Sequence, residues 1–217
     1  MGDPLVGMTA TLCAVGVALV VVVAVFAARR ARRDRNRMQQ WADRNGWTLT
    51  RNPRVEWGRR LPGGNSHGIG YALSSTLAGR HVTVAQYSVT DASDGTTTNT
   101  HHHVVTVALL NRSFPSTQLE PRGRASRVKN RLLGPGESTS GNPDFDREFL
   151  IRTSEPSVVR QWLSPPLIAA HLNGSIPVAW SVQGNELLCH RPGRLNPDEV
   201  SGHAAAVLPL ANLLENH

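Results

Sequence analysis

The apolar and polar positions of this sequence fall into two regimes. From Leu5 to Ala28 the chain reads "LVGMTATLCAVGVALVVVVAVFAA", 24 positions without one charge. As a helix this stretch rises roughly 36 Å, against a hydrocarbon core of about 30 Å. It has no polar face to turn towards water, so it does not fit a core helix of a water-soluble domain. A cleavable signal would want basic residues ahead of the apolar run, and "MGDP" offers only an acid. The pattern predicts an N-terminal transmembrane anchor over residues 1–28.

After residue 46 the pattern changes to short alternating runs. "WTLTR" (47–51) reads as a strand, and 52–68 as an irregular, turn-rich stretch around Trp57. "IGYALSSTLA" (69–78) and "HVTVAQYSVT" (81–90) form a hairpin across Gly79-Arg80, with a type II′ turn. "HHHVVTVALL" (101–110) is β-branched enough for a central strand, and "STQLEP" (116–121) adds a short one. Residues 121–143, basic and then Gly/Pro/Ser-rich, form a flexible connector. "FDREFLIRTS" (145–154) alternates as a strand, with Phe145, Arg147, Phe149 and Ile151 on one side.

Two short helices follow, with Ser154 and Ser164 as N-caps and Asn173-Gly174 as terminator. "VAWSVQ" (178–183) and "ELLCHR" (186–191) flank Gly184-Asn185 as a second hairpin. The last element, 196–215, opens near a capping box at Asn196, Pro197 and Glu199. Its apolar stripe is Val200, Ala204, Val207, Leu210 and Leu214, with Pro209 kinking or interrupting it. The predicted fold class is α+β: an N-terminal transmembrane helix, then a predominantly antiparallel β-sheet domain with short helices and a C-terminal helix. Residues 47–217 form that single soluble domain, with a barrel-like and an open sheet both compatible with the pattern.

Charge changes the picture at one place. The formal net charge of the 217 residues is +7, but "AARRARRDRNR" alone carries Arg29, Arg30, Arg32, Arg33, Arg35 and Arg37 against Asp34. Basic residues close to a span stay on the cytoplasmic side, and here all of them follow it. The expected location is the cell membrane, single-pass, with the N-terminus outside and the C-terminal domain cytoplasmic. Residues 29–46 then read as an Arg-rich juxtamembrane helix touching anionic lipid headgroups, at on the order of 1 kcal/mol per arginine. A second run, Arg122, Arg124, Arg127, Lys129 and Arg131, offers a further membrane-surface contact. Between these spots the domain is nearly neutral, and no groove-reading helix or stacking aromatics accompany them, so nucleic acid is an unlikely partner.

Candidate chemistry is sparse. "THHHVV" puts His101 and His103 on one face of a strand, where two imidazoles share a metal if His81, Asp91 or Asp94 completes the set. The glycines of "LPGGNSHGIG" lack the lysine and following helix of a phosphate loop. Cys189 and His190 are neighbours, but alternation sends them to opposite faces, which is no nucleophile pair. Cys13 and Cys189 have no CxxC partner, and a disulfide between an anchor and a domain is implausible. No catalytic residue and no cofactor is expected.

The segments "QQWADRNGWTL", "LAGRHVTVAQYSV", "VVTVALL", "FDREFLIRTSEPSVVRQWLSPPL" and "VQGNELLC" occur in an order that resembles a group of actinobacterial single-pass membrane-anchored proteins of unknown function. The shared marks are a helix ending in Gly-Trp, a Phe-x-Arg-x-Phe strand and a Leu-Ser/Thr-Pro step, over most of residues 38–217. The resemblance implies the anchored-domain architecture and transfers no activity. The leading functional reading is a membrane protein whose soluble domain serves as a protein-interaction or membrane-surface module. The alternatives are a metal-dependent or cryptic enzyme using His101 and His103, and a membrane-tethered nucleic-acid binder.

Overall fold

The computed structural model describes residues 22–26, 29, 33, 36–65, 67–91, 99–122 and 136–216. The chain divides into two compact units, Met1–Asn45 and Gly46–His217. In the first unit residues 22–26 and 36–45 are helical. Gln39 Nε2 donates to Asp43 Oδ1 at 2.9 Å, a pair one helical turn apart, and Asn45 Nδ2 donates to the carbonyl of Trp41 at 2.8 Å. Among the described residues no helix is long and apolar enough to cross a membrane. The expected span Leu5–Ala28 lies, apart from 22–26, outside those residues.

The second unit is built on seven antiparallel strands. They are β1 (Thr48–Arg51), β2 (Ile69–Leu77), β3 (Arg80–Asp91), β4 (Asn99–Pro121), β5 (Glu137–Ser138), β6 (Phe149–Thr153) and β7 (Trp180–Pro192). The helices are α1 (Pro143–Glu148), α2 (Pro156–Trp162), α3 (Pro165–Leu172) and α4 (Val200–Glu215). The sheet order is β1-β2-β3-β4-β6-β5, and β7 lies along the other side of β4. The sheet is therefore open, with the 23-residue β4 at its centre. The first part of β4 is flanked by β3 and β7, and the second part by β6 and β7.

Alternation along β2–β4 and β7 sends apolar side chains to both faces, as a sheet covered on both sides requires. On one face Ile69, Ala72, Ala85, Tyr87, Val105, Val107 and Leu188 pack with Trp57 and Leu61, from a 3-10 turn at Glu56–Arg60 and the residue after it. On the other face α4 packs against β3 and β4. Its expected stripe, Val200, Ala204, Val207, Leu210 and Leu214, is buried to 1% exposure or less. Pro209 leaves the helix continuous over Val200–Glu215, because its missing N–H falls on an exposed side of the helix.

Several sequence expectations give way to tertiary context. The β2–β3 connection is Ala78-Gly79, with φ of 50° and 77° and Leu77 opposite Arg80. Two successive positive φ values make it type I′, the turn whose twist suits the flanking strands, and not type II′. Gly184-Asn185 is not a hairpin. β7 runs straight through it, paired with β4 on both sides of a register shift, and Gly184 (φ 58°) sits opposite Phe114 at a bulge. The strand predicted over 145–154 is split. Asn142 accepts from the N–H groups of Asp144 and Phe145 with Pro143 in the first turn, and this cap starts α1 before β6 begins.

Within 121–143, Glu137–Ser138 pair with β6, and 123–135 lie outside the described residues. Ser164 caps α3 as expected, through Leu167 N–H at 3.4 Å. Ser154 instead donates its own N–H to the Ser116 carbonyl at 3.0 Å, so α2 starts after Glu155 without a side-chain cap. Asn196 precedes a 3-10 turn (Pro197–Glu199) and makes no side-chain cap, so α4 opens at Val200.

Candidate functional site

The histidines expected to carry chemistry sit at the end of the sheet where β3, β4 and β7 meet. His101 pairs across from Val89, His102 from Ser88 and His103 from both Tyr87 and Pro192. His101 is exposed, whereas His103 turns inward and meets the ring of His190 edge-on, with centroids 5.7 Å apart. Burial, with the neighbouring His101 and His102 adding to it, lowers the His103 pKa. Burial, with His103 beside it, pushes His190 down to about 4. Both imidazoles are neutral at neutral pH.

Among the described residues no third ligand joins them. His81 lies at the far end of β3, pairing towards Thr76; the Asp91 side chain and Asp94 lie outside the description. Among the described residues no group of three or more His, Cys, Asp or Glu could hold a metal ion.

His102 takes a different role. Its Nε2 lies 2.9 Å from Arg194 Nη2 and its Nδ1 3.0 Å from Ser88 Oγ. A guanidinium only donates, so Nε2 is the acceptor and Nδ1 carries the proton towards Ser88. The Gly193 N–H donates to the His102 carbonyl at 2.9 Å, and the Leu195 N–H to Gln86 Oε1 at 2.6 Å. Arg191 Nη2 lies 2.6 Å from His203 Nε2 and 3.3 Å from Glu199 Oε2. These bonds strap the crossover from β7 to α4 onto the sheet end.

Depressions lie on both faces of the sheet. The first, about 530 Å³, lies between the 3-10 turn and the second part of the sheet. Its walls are Trp57 and Arg60, and Gln118, Ser181 and Gln183 are among the polar residues lining it. Arg60 donates to the carbonyl of Glu186 at 3.1 Å and pairs with its carboxylate at 3.0 Å. Burial lowers the pKa of this guanidinium while the Glu186 charge opposes the shift.

The second depression, about 460 Å³, is an apolar groove on the opposite face. It runs between α4 and the loop at 174–179, and is lined by Val104, Ile176, Val178, Cys189, Ala206 and Val207, with Arg191 and His203 at its rim. Burial raises the Cys189 thiol to about 12, so the sulfur is an apolar lining atom and not a nucleophile.

Of the expected membrane-contact arginines, Arg29, Arg33 and Arg37 are exposed in the first unit; Arg30, Arg32 and Arg35 lie outside the described residues. In the second run, Arg122 is engaged by Glu137 at 2.9 Å and by the Asp146 carbonyl at 2.6 Å. Arg124, Arg127, Lys129 and Arg131 lie outside the described residues. Sequence reasoning missed His171 and both depressions. His171, inside "LIAAHLNG", follows the apolar positions Leu167 and Ile168 on the buried face of α3; that spacing was the available signal.

No protein family and no curated protein matches the sequence. The fold is similar to the crystal structure of the mycobacterial trehalose monomycolate transport factor A, TtfA, at TM-score 0.52 and 13% identity. The match covers 83% of this chain and 93% of that one.

Proposed function

We propose that this chain is a single-pass membrane protein whose cytoplasmic domain is a non-enzymatic module, an accessory that docks a protein partner beside the lipid surface in envelope lipid transport. The observation that carries the reading is a fold similar to that of a trehalose monomycolate transport factor, over 93% of the chain in that crystal structure. The sequence adds a 24-residue apolar stretch, long enough to span, with six arginines on its C-terminal side. The remaining chemistry fits a binding role. The Cys189 thiol is held protonated, and His103 and His190 are neutral rings packed on one another. The six arginines from Arg29 to Arg37 also supply the headgroup contact that holds the domain near the bilayer.

The reading is tested with a reporter fused at His217 that reads cytoplasmic or extracytoplasmic exposure. Cytoplasmic signal is expected, and the domain should survive protease added to intact spheroplasts. A reporter active only outside, or digestion of the domain in intact spheroplasts, overturns the topology. Crosslinking in intact membranes should then capture a partner within the envelope lipid-export apparatus; crosslinks confined to soluble cytoplasmic proteins would overturn the accessory role.

A further inference from the structure

We infer that the groove between α4 and the 174–179 loop is a binding site for one alkyl chain of a lipid or fatty acid with an anionic head, the chain lying over Cys189 and the head against Arg191. This deepens the lipid-transport reading above and rests on it for its biological setting. The groove's volume of about 460 Å³ falls inside the range of small-molecule sites, about 300–1,000 Å³. Its lining has the expected composition, apolar with a few polar groups at one end.

Val104 and Val207 are almost wholly buried, and Cys189 lies between them in the lining as a neutral thiol. Ile176, Val178 and Ala206 are also part of it, and Val178 is 42% exposed, a large apolar side chain left facing water. Of the polar members of the lining away from the rim, Thr106 is buried, Ser175 already donates to the Ala170 carbonyl at 3.2 Å and the His190 ring is packed on His103, so an aliphatic occupant is the one the predominantly apolar groove favours.

The polar end selects the head. Arg191 is 58% exposed at the rim, and its guanidinium is turned to the neutral Nε2 of His203 at 2.6 Å. It also meets the carboxylate of half-exposed Glu199 at 3.3 Å, a pair worth little in water. A carboxylate or phosphate at the groove mouth would offer Arg191 a bidentate, charge-assisted partner in place of that contact. Free fatty acid and membrane phospholipid share this chemistry, and the experiment separates them.

The test uses the full-length chain held in amphipol, so that no detergent competes. Saturable uptake of cis-parinaric acid, one per chain, is expected. Displacement by saturated acids from octanoate upwards should strengthen about fourfold per methylene until the groove is filled. Ala206→Phe and, independently, Val178→Trp fill the groove from exposed positions and should abolish saturable uptake while the thermal midpoint stays unchanged.

Arg191→Gln should weaken the acid about tenfold and leave its methyl ester unaffected. Phospholipid in the extract of the purified protein identifies a bilayer source, and fatty acid a soluble one. Absence of saturable uptake, or uptake that survives both filling variants, overturns the site; equal treatment of acid and ester by Arg191→Gln overturns the head assignment. Because binding is read on purified protein, the result stands or falls whatever compartment the reporter at His217 reads.

Discussion

Trp180 donates its indole N–H to Nε2 of His171 at 2.9 Å, and this bond fixes a neutral imidazole inside an aromatic cluster. Phe145, Phe149 and Trp180 all contact the ring, with centroids 5.3–6.0 Å away. Burial pushes the His171 pKa down to about 4. The unfolded chain takes up the proton first, near pH 6.5, so stability is complete above that value and is lost as pH falls from 6.5 towards 4. The loss reaches about 3 kcal/mol for His171, and His190, also pushed down to about 4, adds in the same window. Urea unfolding at pH 7.5 and pH 4.5 should show the drop, and His171→Phe should be less stable at pH 7.5 but less sensitive to acid.

The end of α4 is clamped to the β2–β3 and β4 backbone through one carboxylate. Arg80 reaches Glu215 Oε2 at 2.6 Å and Oε1 at 3.2 Å, and it donates to the Leu109 carbonyl at 2.8 Å. Asn111 donates to Glu215 from its side chain at 3.0 Å and also from its backbone. The Arg80 and Glu215 side chains are only 9% and 13% exposed. Glu215→Ala should cost roughly 2 kcal/mol, more than a surface pair would, because Arg80 is left half-buried without its counter-charge. Hydrogen exchange should show the last turn of α4 opening while the sheet amides keep their protection.

Gly68 lies against Tyr87, whose hydroxyl donates to the Pro62 carbonyl at 2.6 Å and holds the 61–68 loop on the sheet. A Cβ at Gly68 would stand 2.5 Å from the Ser88 carbonyl oxygen and 2.6 Å from the Tyr87 ring. The backbone oxygen cannot yield, since Ser88 pairs with His102 of β4 and its N–H donates to the Gly68 carbonyl at 2.8 Å. Gly68→Ala should destabilise by about 2 kcal/mol, while Gly70→Ala, with nothing within 4 Å of the added carbon, should stay within about 0.5 kcal/mol. Thermal melting of the two variants side by side checks the contrast.

Ala78 holds φ at 50°, a left-handed conformation that a Cβ disfavours. Ala78→Asn would turn the connection into Asn-Gly, the pair favoured in type I′ turns, and should stabilise the domain by about 1 kcal/mol. The denaturation midpoint should rise with an unchanged denaturant slope.

The elements that sequence disclosed were those governed by local periodicity or turn chemistry. The α4 stripe, the β2–β3 hairpin and the Ser164 cap depend on residues within a few positions of one another. The errors lay where distant partners decide. Gly184-Asn185 looks like a hairpin turn until β4 is present to pair through it. The alternation Phe145, Phe149, Ile151 conceals a helical turn set by the Asn142 cap. At the sheet end the histidine triplet was visible, yet the roles of His102 and His103 follow from Arg194, Ser88 and His190, which the topology brings in from two other strands and the crossover. Both depressions were out of reach, because each joins side chains far apart in the chain, Trp57 with Gln118 and Ser181 in the first and Val104 with Ile176 and Val207 in the second.

The placement of β7 has a consequence for biogenesis. β4 is complete at Pro121, but the strand that covers its free side begins at Trp180 and ends at Pro192. A ribosome must translate nearly the whole chain before that row of amides and carbonyls acquires its neighbour. Each nascent molecule waits with its central strand half clothed, and the slow step of maturation is the late, long-range zippering of that last strand.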